Sequence, residues 1–197
     1  MEKTFCGMWS GGDGALEIRN AGKTFVCSLG RPNIGMIFED SLVVSEFDGA
    51  ARVGGVGVYS PVGDGSASFA LWSSTNIPGQ LGSGIVLKSQ ESPGFTGDCA
   101  VRYFVGDREV SALQVSICPA GKEGVYGLTW NVDGKPMLHG IGLVFGSALA
   151  LAWGSPDGGF DVSVIGIGEA EGKPVLRKRT VVWGGADIVE TRFGRAG

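Results

Sequence analysis

The alternation of apolar and polar positions shows one long pattern twice in this chain. Residues 34–46 and 141–153 both read as isoleucine, glycine, a bulky apolar residue, a branched residue and phenylalanine, followed by a short turn and a leucine. The copies are 107 residues apart, as Leu42 and Leu149 illustrate. Two apolar runs joined by a short turn predict a β-hairpin. The sequence therefore predicts a duplicated protein with one such hairpin in each half.

The second strand of the later hairpin is apolar at every position. Leu149, Leu151 and Trp153 would lie on one face and the intervening alanines on the other, because successive side chains of a strand alternate. A face of alanines suits a position where another sheet packs closely. We therefore expect both faces of this strand to be covered.

Shorter matches extend the repeat beyond the hairpin. Residues 161–165 follow the pattern of residues 55–59, with two valines at the same spacing. Trp183 corresponds to Trp72, since each ends an apolar run and precedes a small residue. These matches predict that the later strands of both halves are equivalent as well.

A polar turn cluster at residues 91–94 is the best boundary between the halves. It divides the chain into repeats of about 1–93 and 94–197, which are expected to share structure because the linker is short. The second repeat has more chain before its hairpin than the first. We expect this extra chain to form about one additional hairpin, roughly over residues 125–140.

Helix signals are almost absent, because glycine interrupts every apolar stretch of helical period. With 36 glycines among 197 residues and no three-residue period, the chain is typical of many short strands joined by tight turns. The predicted fold class is all-β with little or no helix: a single domain over residues 1–197, built from two sequence repeats as an antiparallel β-barrel or as two packed antiparallel sheets. One closed barrel is favoured because it hides the strand edges, and two small barrels side by side are the alternative.

Charge and hydropathy exclude some classes of partner. A net charge of −4 argues against nucleic acid, which requires clustered Lys and Arg. The sequence has no apolar run long enough for a membrane-spanning helix, and its first residues lack the pattern of a signal peptide. A cytoplasmic location without membrane contact is the resulting expectation.

One basic run, Arg177-Lys178-Arg179, interrupts this acidic chain. In a strand, Lys178 would face the side opposite to its two neighbours. The run could bind an anion, but a charged edge strand that discourages aggregation explains it more economically.

The four cysteines have similar spacing in both halves, 21 residues between Cys6 and Cys27 and 19 between Cys99 and Cys118. The spacing suggests equivalent positions. Without a C-x-x-C motif or a Cys/His pair, a metal site is not expected. Without an export signal, buried thiols are favoured over one disulfide in each half.

The candidate catalytic residues are His139, Asp161 and Tyr126. His139 is the only histidine and lies beside the repeated hairpin. A general base needs a nucleophile or acid brought to it by the fold, and the sequence contains no G-x-S-x-G elbow or triad order. These residues are therefore assigned to catalysis only if the protein is an enzyme, and a structural histidine is the simpler interpretation.

Aromatic residues are the most suggestive set. They could line the mouth of a barrel and bind an apolar or planar ligand, or they could fill a large β-core. The candidate ligand-binding residues are Trp9, Trp72, Trp130, Trp153, Trp183, Phe38 and Phe145.

Gly7-Met8-Trp9, followed by a turn and an up-and-down run of strands, resembles the G-x-W start of lipocalins and avidin-like barrels. The match covers three residues. The resemblance implies a calycin-type β-barrel that binds a ligand, and it implies no catalytic residue. The rest of the chain departs from lipocalins, because no later arginine aligns as the partner of the tryptophan and lipocalins are not duplicated in this way.

The residues favour a binding protein whose partner is a small apolar or aromatic molecule, with no cofactor. One alternative is a cofactor-free isomerase or cyclase that acts in an apolar barrel cavity. A second is a protein-interaction module that has no pocket and uses an exposed strand edge. The sequence leaves open whether the protein is an enzyme and whether it forms a homo-oligomer.

Overall fold

The computed structural model describes residues 4–12, 14–28, 30–48, 53–89, 94–185 and 187–196. Within these ranges the chain forms sixteen β-strands and no helix, so no helix there could cross a membrane. The strands are β1 (Gly7–Gly11), β2 (Gly14–Ala21), β3 (Thr24–Cys27), β4 (Asn33–Phe38), β5 (Ser41–Phe47), β6 (Gly54–Val62), β7 (Ala67–Ser74), β8 (Gly82–Lys88), β9 (Gly97–Val105), β10 (Arg108–Pro119), β11 (Val125–Val132), β12 (Lys135–Phe145), β13 (Ala148–Gly154), β14 (Phe160–Ala170), β15 (Lys173–Val182) and β16 (Ile188–Arg195).

The strands close into two antiparallel barrels of eight strands each. The first barrel contains β1 to β5 and β14 to β16, and the second contains β6 to β13. Closure removes the unpaired edges that an open sheet would expose. The predicted all-β antiparallel barrel architecture is confirmed, but the favoured single barrel is wrong, and the alternative of two barrels is correct.

Each half of the chain divides its strands between the barrels in the same way. The five strands β1 to β5 close a barrel with β14 to β16, while β9 to β13 close the other with β6 to β8. Around each barrel the order is therefore that of an up-and-down meander whose last three strands come from the opposite half. The predicted boundary falls largely on residues 90–93, which lie outside the described residues.

Strand register is the same in both barrels. In the first barrel β5 pairs with β14 through Leu42 and Ile165, and in the second β13 pairs with β6 through Leu149 and Tyr59. Adding 107 to the residue numbers of β5 and subtracting 106 from those of β14 gives the β13–β6 pairing for every residue from 149 to 154. Leu42 and Leu149 are both fully buried, one inside each barrel. The halves are therefore structurally repeat-like, with the two predicted hairpins in equivalent places.

Strand register shows that one of the shorter sequence matches, Trp183 with Trp72, is wrong. The backbone N–H of Trp183 donates to the first residue of β14, and that of Thr75 donates to the first residue of β6. Trp183 therefore corresponds to Thr75 and not to Trp72. The counterpart of Trp72 is Thr180, which faces the equivalent position of the neighbouring strand. Both tryptophans follow similar apolar runs, but their strands differ in register by three residues.

The cysteines are not equivalent either, because register and not spacing decides equivalence. Trp9 pairs with Arg195 on β16, and Cys99 occupies the same place opposite Lys88 on β8. Cys27 occupies in the first barrel the place that Leu128 occupies in the second.

The extra chain of the second half does not form an additional hairpin, because both halves contain eight described strands. It lengthens existing ones instead. β11 and β12 have 8 and 11 residues, whereas their counterparts β3 and β4 have 4 and 6. The longer hairpin extends one end of the second barrel.

The barrels pack against each other through a continuous apolar cluster. It joins the outer faces of β4, β5, β14 and β15 to those of β6, β11, β12 and β13. Ala148, Ala150 and Ala152 lie in this interface, while Leu149 and Leu151 point into the second barrel. The expectation that both faces of this strand are covered is confirmed. Small side chains at the interface allow the two sheets to approach closely.

The interior of the first barrel is apolar at its centre and charged toward one end. Leu176 belongs to the apolar interior, so Lys178 two residues later also points inward. Its Nζ donates a hydrogen bond of 3.0 Å to Glu46 Oε1, and both side chains are about nine-tenths buried. β15 is not an edge strand, because it pairs with both β14 and β16. The edge-strand interpretation of the basic run is therefore wrong.

Candidate functional site

A cavity of about 370 Å³ lies at one end of the second barrel. Its size falls within the range of small-molecule sites. None of its described lining residues is charged, and rim residues such as Val110 and Met137 are exposed to solvent. The lining residues are Val53, Trp72, Ser74, Asn76, Ile77, Tyr103, Val105, Val110, Ser111, Leu113, Trp130, Met137, Leu138 and Trp153.

Glycines make room for the tryptophans in the cavity wall. A Cβ on Gly55 would lie 2.1 Å from the Trp153 ring, and one on Gly82 would lie 2.3 Å from the Trp72 ring. These distances are far shorter than atoms of two side chains can approach. Each indole therefore lies flat across the backbone of the paired strand, where any other residue would displace it.

Trp130 is placed in the same way. A Cβ on Gly140 would lie 2.5 Å from its ring. Gly140 lies on β12, one residue before the repeated stretch, at a position where the first half has Asn33. The indoles of Trp72, Trp130 and Trp153 all line the cavity.

The matching end of the first barrel carries charges in place of these aromatics. Glu46 occupies the position of Trp153, and Asp161 occupies that of Gly55. Arg31 Nη1 lies 3.2 Å from Asp161 Oδ2. Two barrels of the same register therefore end differently, one in a mostly apolar cavity and the other in ion pairs, of which Glu46–Lys178 is buried and Arg31–Asp161 is partly exposed.

Longer hairpins in the second half build the cavity walls. β9 and β10 contribute Tyr103 and Leu113, and the extended β11–β12 hairpin contributes Trp130 and Leu138. The counterparts β1 and β2 have only 5 and 8 residues, against 9 and 12 for β9 and β10. The additional ladder pairs raise the wall of the second barrel above the level at which the first barrel ends.

Tyr103, which lines the cavity, belongs to a hydrogen-bonded phenol pair. The hydroxyls of Tyr59 and Tyr103 lie 2.5 Å apart, and Trp130 Nε1 donates a 2.9 Å hydrogen bond to the Tyr103 oxygen. Burial raises the pKa of Tyr103 to about 12, and burial together with the adjacent Tyr103 raises the pKa of Tyr59 well above its usual value. Both phenols therefore stay protonated throughout the neutral range.

The structure brings together three of the seven candidate ligand-binding residues, Trp72, Trp130 and Trp153. The other four lie elsewhere. Trp9 is fully buried in the first barrel. Trp183 is exposed, and its ring lies 4.4 Å from that of Phe160 at a tilt of 41°. Phe38 and Phe145 contact each other at the interface.

The candidate catalytic residues are not brought together as a trio. Asp161 accepts a hydrogen bond from the backbone N–H of Trp183, and the His139 ring lies 6.1 Å from the Trp183 ring. No hydrogen bond joins His139 to Asp161 among the described contacts; the closest polar partner of His139 is Thr129 Oγ1 at 3.4 Å. Tyr126 lies three residues from Thr129 along β11, about 10 Å away. None of the three lines the cavity.

Sequence reasoning did not select Tyr103, Tyr59, Leu113 or Leu138. Tyr103 follows Cys99 and Val101 at alternate positions, so the period of two could have placed it inside the barrel. Nothing local indicates that Tyr59 and Tyr103 meet, because they come from different halves of the chain.

The four cysteines are free thiols. Cys27 lies inside the first barrel and Cys99 inside the second, so these two cannot pair. Burial raises the pKa of Cys27 to about 12 and also raises that of Cys99. The described residues contain no group of three or more His, Cys, Asp or Glu side chains placed to hold a metal ion.

Comparison with known proteins gives no relative from which to transfer a role: no family model, curated protein or solved structure matches this chain.

Proposed function

We propose that the protein binds a small apolar or aromatic molecule in the cavity of the second barrel. The observation that carries the proposal is the convergence of Trp72, Trp130 and Trp153 around an uncharged cavity of about 370 Å³. A cavity of this composition contributes binding energy through burial of apolar ligand surface, and aromatic side chains provide much of that area. The barrel acts as a rigid scaffold for the site.

Barrel geometry supports this proposal. Eight strands enclose an interior that side chains can just fill or that can hold one small ligand, as in lipocalins and streptavidin. In the second barrel the centre is packed with side chains and one end is open, which leaves room for one small ligand.

The resemblance to lipocalins gains one feature. Arg195, on the last strand, places its guanidinium 5.5 Å from the centre of the Trp9 ring. This is the type of arginine–tryptophan pair that the sequence alone did not align. This contact lies in the first barrel, whereas the proposed ligand site lies in the second.

The isomerase alternative receives no support from the cavity. Its described lining residues include tyrosine, serine and asparagine but carry no carboxylate, imidazole or ammonium group. A proton-transfer role would therefore fall on phenols whose pKa is raised, which are poor bases at neutral pH.

The proposal can be tested by equilibrium dialysis against 2-isopropylnaphthalene, a neutral aromatic hydrocarbon. We expect saturable binding of one molecule per chain. The variant V110W adds an indole at the rim of the cavity and should weaken binding at least fivefold. The control V62W places the same indole on an exposed valine that does not line the cavity, and should leave binding unchanged. Absence of saturable binding to the wild-type protein, or equal loss in both variants, would contradict the proposal.

A second candidate function, self-association, rests on an apolar patch outside the second barrel. Phe69 and Ile85 are cross-strand neighbours, 44% and 49% exposed, and Leu87 beside them is 50% exposed. Adjacent exposed apolar side chains of this size mark interaction surfaces. Sedimentation velocity at rising concentration tests it: I85K should lower any self-association of the wild type, and a wild-type protein that stays monomeric would exclude it.

A further inference from the structure

The two hydroxyl groups of the Tyr59–Tyr103 pair carry two hydrogens, and one of them has no described acceptor. Trp130 Nε1 can only donate, so the Tyr103 oxygen accepts from it. The contact between the two tyrosines uses one of their two hydroxyl hydrogens. The other hydrogen has no acceptor among the described residues, and the direction of the shared bond decides which tyrosine carries it.

Burial decides that direction. Tyr59 is 2% exposed, and the only described acceptor for its hydroxyl hydrogen is the Tyr103 oxygen, because the neighbouring Trp130 indole N–H can only donate. If Tyr103 donated to Tyr59, the hydrogen of Tyr59 would be buried without an acceptor, which is unfavourable. If Tyr59 donates, the Tyr103 oxygen accepts twice and its own hydrogen is free. Tyr103 lines the cavity and Tyr59 does not, so this hydrogen belongs to the member of the pair on the cavity side.

We infer that the Tyr103 hydroxyl is a hydrogen-bond donor to the ligand, and that the ligand is a neutral aromatic or alicyclic molecule with one acceptor, such as a ketone oxygen, on the end that enters the cavity. This inference rests on the proposed function. It assigns a polar recognition group to a site that is mostly apolar.

The rest of the site supports a neutral ligand with a single acceptor. The indole N–H of Trp72 donates to the Ser83 carbonyl and that of Trp130 to Tyr103, so neither is available. The described lining residues include no charged side chain, so an ionised ligand would lose its hydration without a compensating ion pair among them. The raised pKa of Tyr103 keeps its hydroxyl a donor at all neutral pH values.

Two ligands of the same shape isolate this hydrogen bond. 2-Acetylnaphthalene has a carbonyl oxygen where 2-isopropylnaphthalene has a methyl group. Equilibrium dialysis should measure the affinity of each for the wild type and for Y103F, which removes the hydroxyl and keeps the ring. We expect Y103F to weaken the ketone about fivefold, as for one neutral hydrogen bond, and to change hydrocarbon binding by less than twofold.

Two control variants complete the test. Y126F removes a hydroxyl from the same barrel outside the cavity and should change neither affinity. Y59F should leave the preference for the ketone unchanged, because the Tyr103 hydrogen is already free. A fivefold gain in ketone affinity in Y59F would show that Tyr103 donates to Tyr59 in the wild type, and would overturn the inference.

The outcomes separate this inference from the proposed function. If the hydrocarbon binds the wild type but Y103F weakens both ligands equally or neither, the cavity binds ligands and the assigned donor is wrong. If neither naphthalene binds the wild type, the proposed function fails, and the inference fails with it.

Discussion

Phe38 and Phe145 occupy equivalent positions in the two halves and contact each other edge to face, with ring centroids 6.0 Å apart and an interplanar angle of 83°. Each ends the first strand of its hairpin. Contact between a residue and its own counterpart is the arrangement of an isologous twofold interface. The two barrels of this single chain therefore pack as the subunits of a symmetric dimer do.

We expect the contact between the Phe38 and Phe145 rings to contribute to the free energy of unfolding. We expect F38A and F145A each to lower the free energy of unfolding by about 1–3 kcal/mol, since both rings are partly buried against the interface cluster. In urea unfolding, the double variant should show a coupling energy of about 0.5–1.5 kcal/mol. F69A, on an exposed ring, should be additive with F38A. Additivity of F38A with F145A would mean that the ring contact contributes nothing of its own.

The exchanged strands make each barrel depend on both halves of the chain. If residues 1–91 and 92–197 are co-expressed as separate chains with a tag on one, we expect them to copurify at equal stoichiometry. The reason is that three strands of each barrel come from the other fragment, and the interface cluster joins both. Purification of the tagged fragment without its partner would contradict the exchanged arrangement.

The buried ion pair of the first barrel is expected to be sensitive to loss of one partner. K178M leaves the Glu46 carboxylate buried without its cation, which should cost about 3–5 kcal/mol in urea unfolding. The double variant E46L/K178M removes both charges and should regain most of that loss. As a control, R19M breaks an exposed pair and should change stability by less than about 1 kcal/mol. A K178M value as small as that of R19M would show that the pair is hydrated.

Stability should fall with rising pH between about 10 and 12. Unfolded tyrosines release their protons near pH 10, whereas folded Tyr103 keeps its proton until about pH 12. The folded state then binds more protons than the unfolded state, so the free energy of unfolding decreases as pH rises through this window and is unaffected below it. Urea unfolding at pH 9 and pH 11.5 should show a smaller decrease for Y103F than for the wild type. An equal decrease would mean that Tyr103 ionises normally in the fold.

The thiols should differ sharply in reactivity. Cys118 is exposed, whereas Cys27 is buried and its pKa is raised to about 12, so little of it is thiolate at pH 8. We expect an aromatic disulfide reagent at pH 8 to label Cys118 first, and C118S to remove the fastest phase. Cys27 and Cys99 should react only in denaturant. Rapid labelling of Cys27 in the native protein would show that the first barrel opens readily.

What the sequence by itself determined is the local part of the structure. Alternation of side chains is a property of a single strand, so the pattern predicted the repeated hairpin and the doubly covered strand with Leu149 on one face and Ala150 on the other. The sequence also supplied the three cavity tryptophans, although within a larger aromatic set. It could not separate them from Trp183, because an indole has the same local pattern in a cavity wall and outside it.

The tertiary structure decided everything that depends on strand pairing. Because β6 and β14 have the same register and similar apolar faces, sequence cannot show that β5 pairs with β14 and not with β6. That choice made two barrels, brought Tyr59 of one half onto Tyr103 of the other, and placed Gly55 under Trp153. Residues that are distant in the chain come into contact only when the barrels close, and the candidate site is built from such contacts.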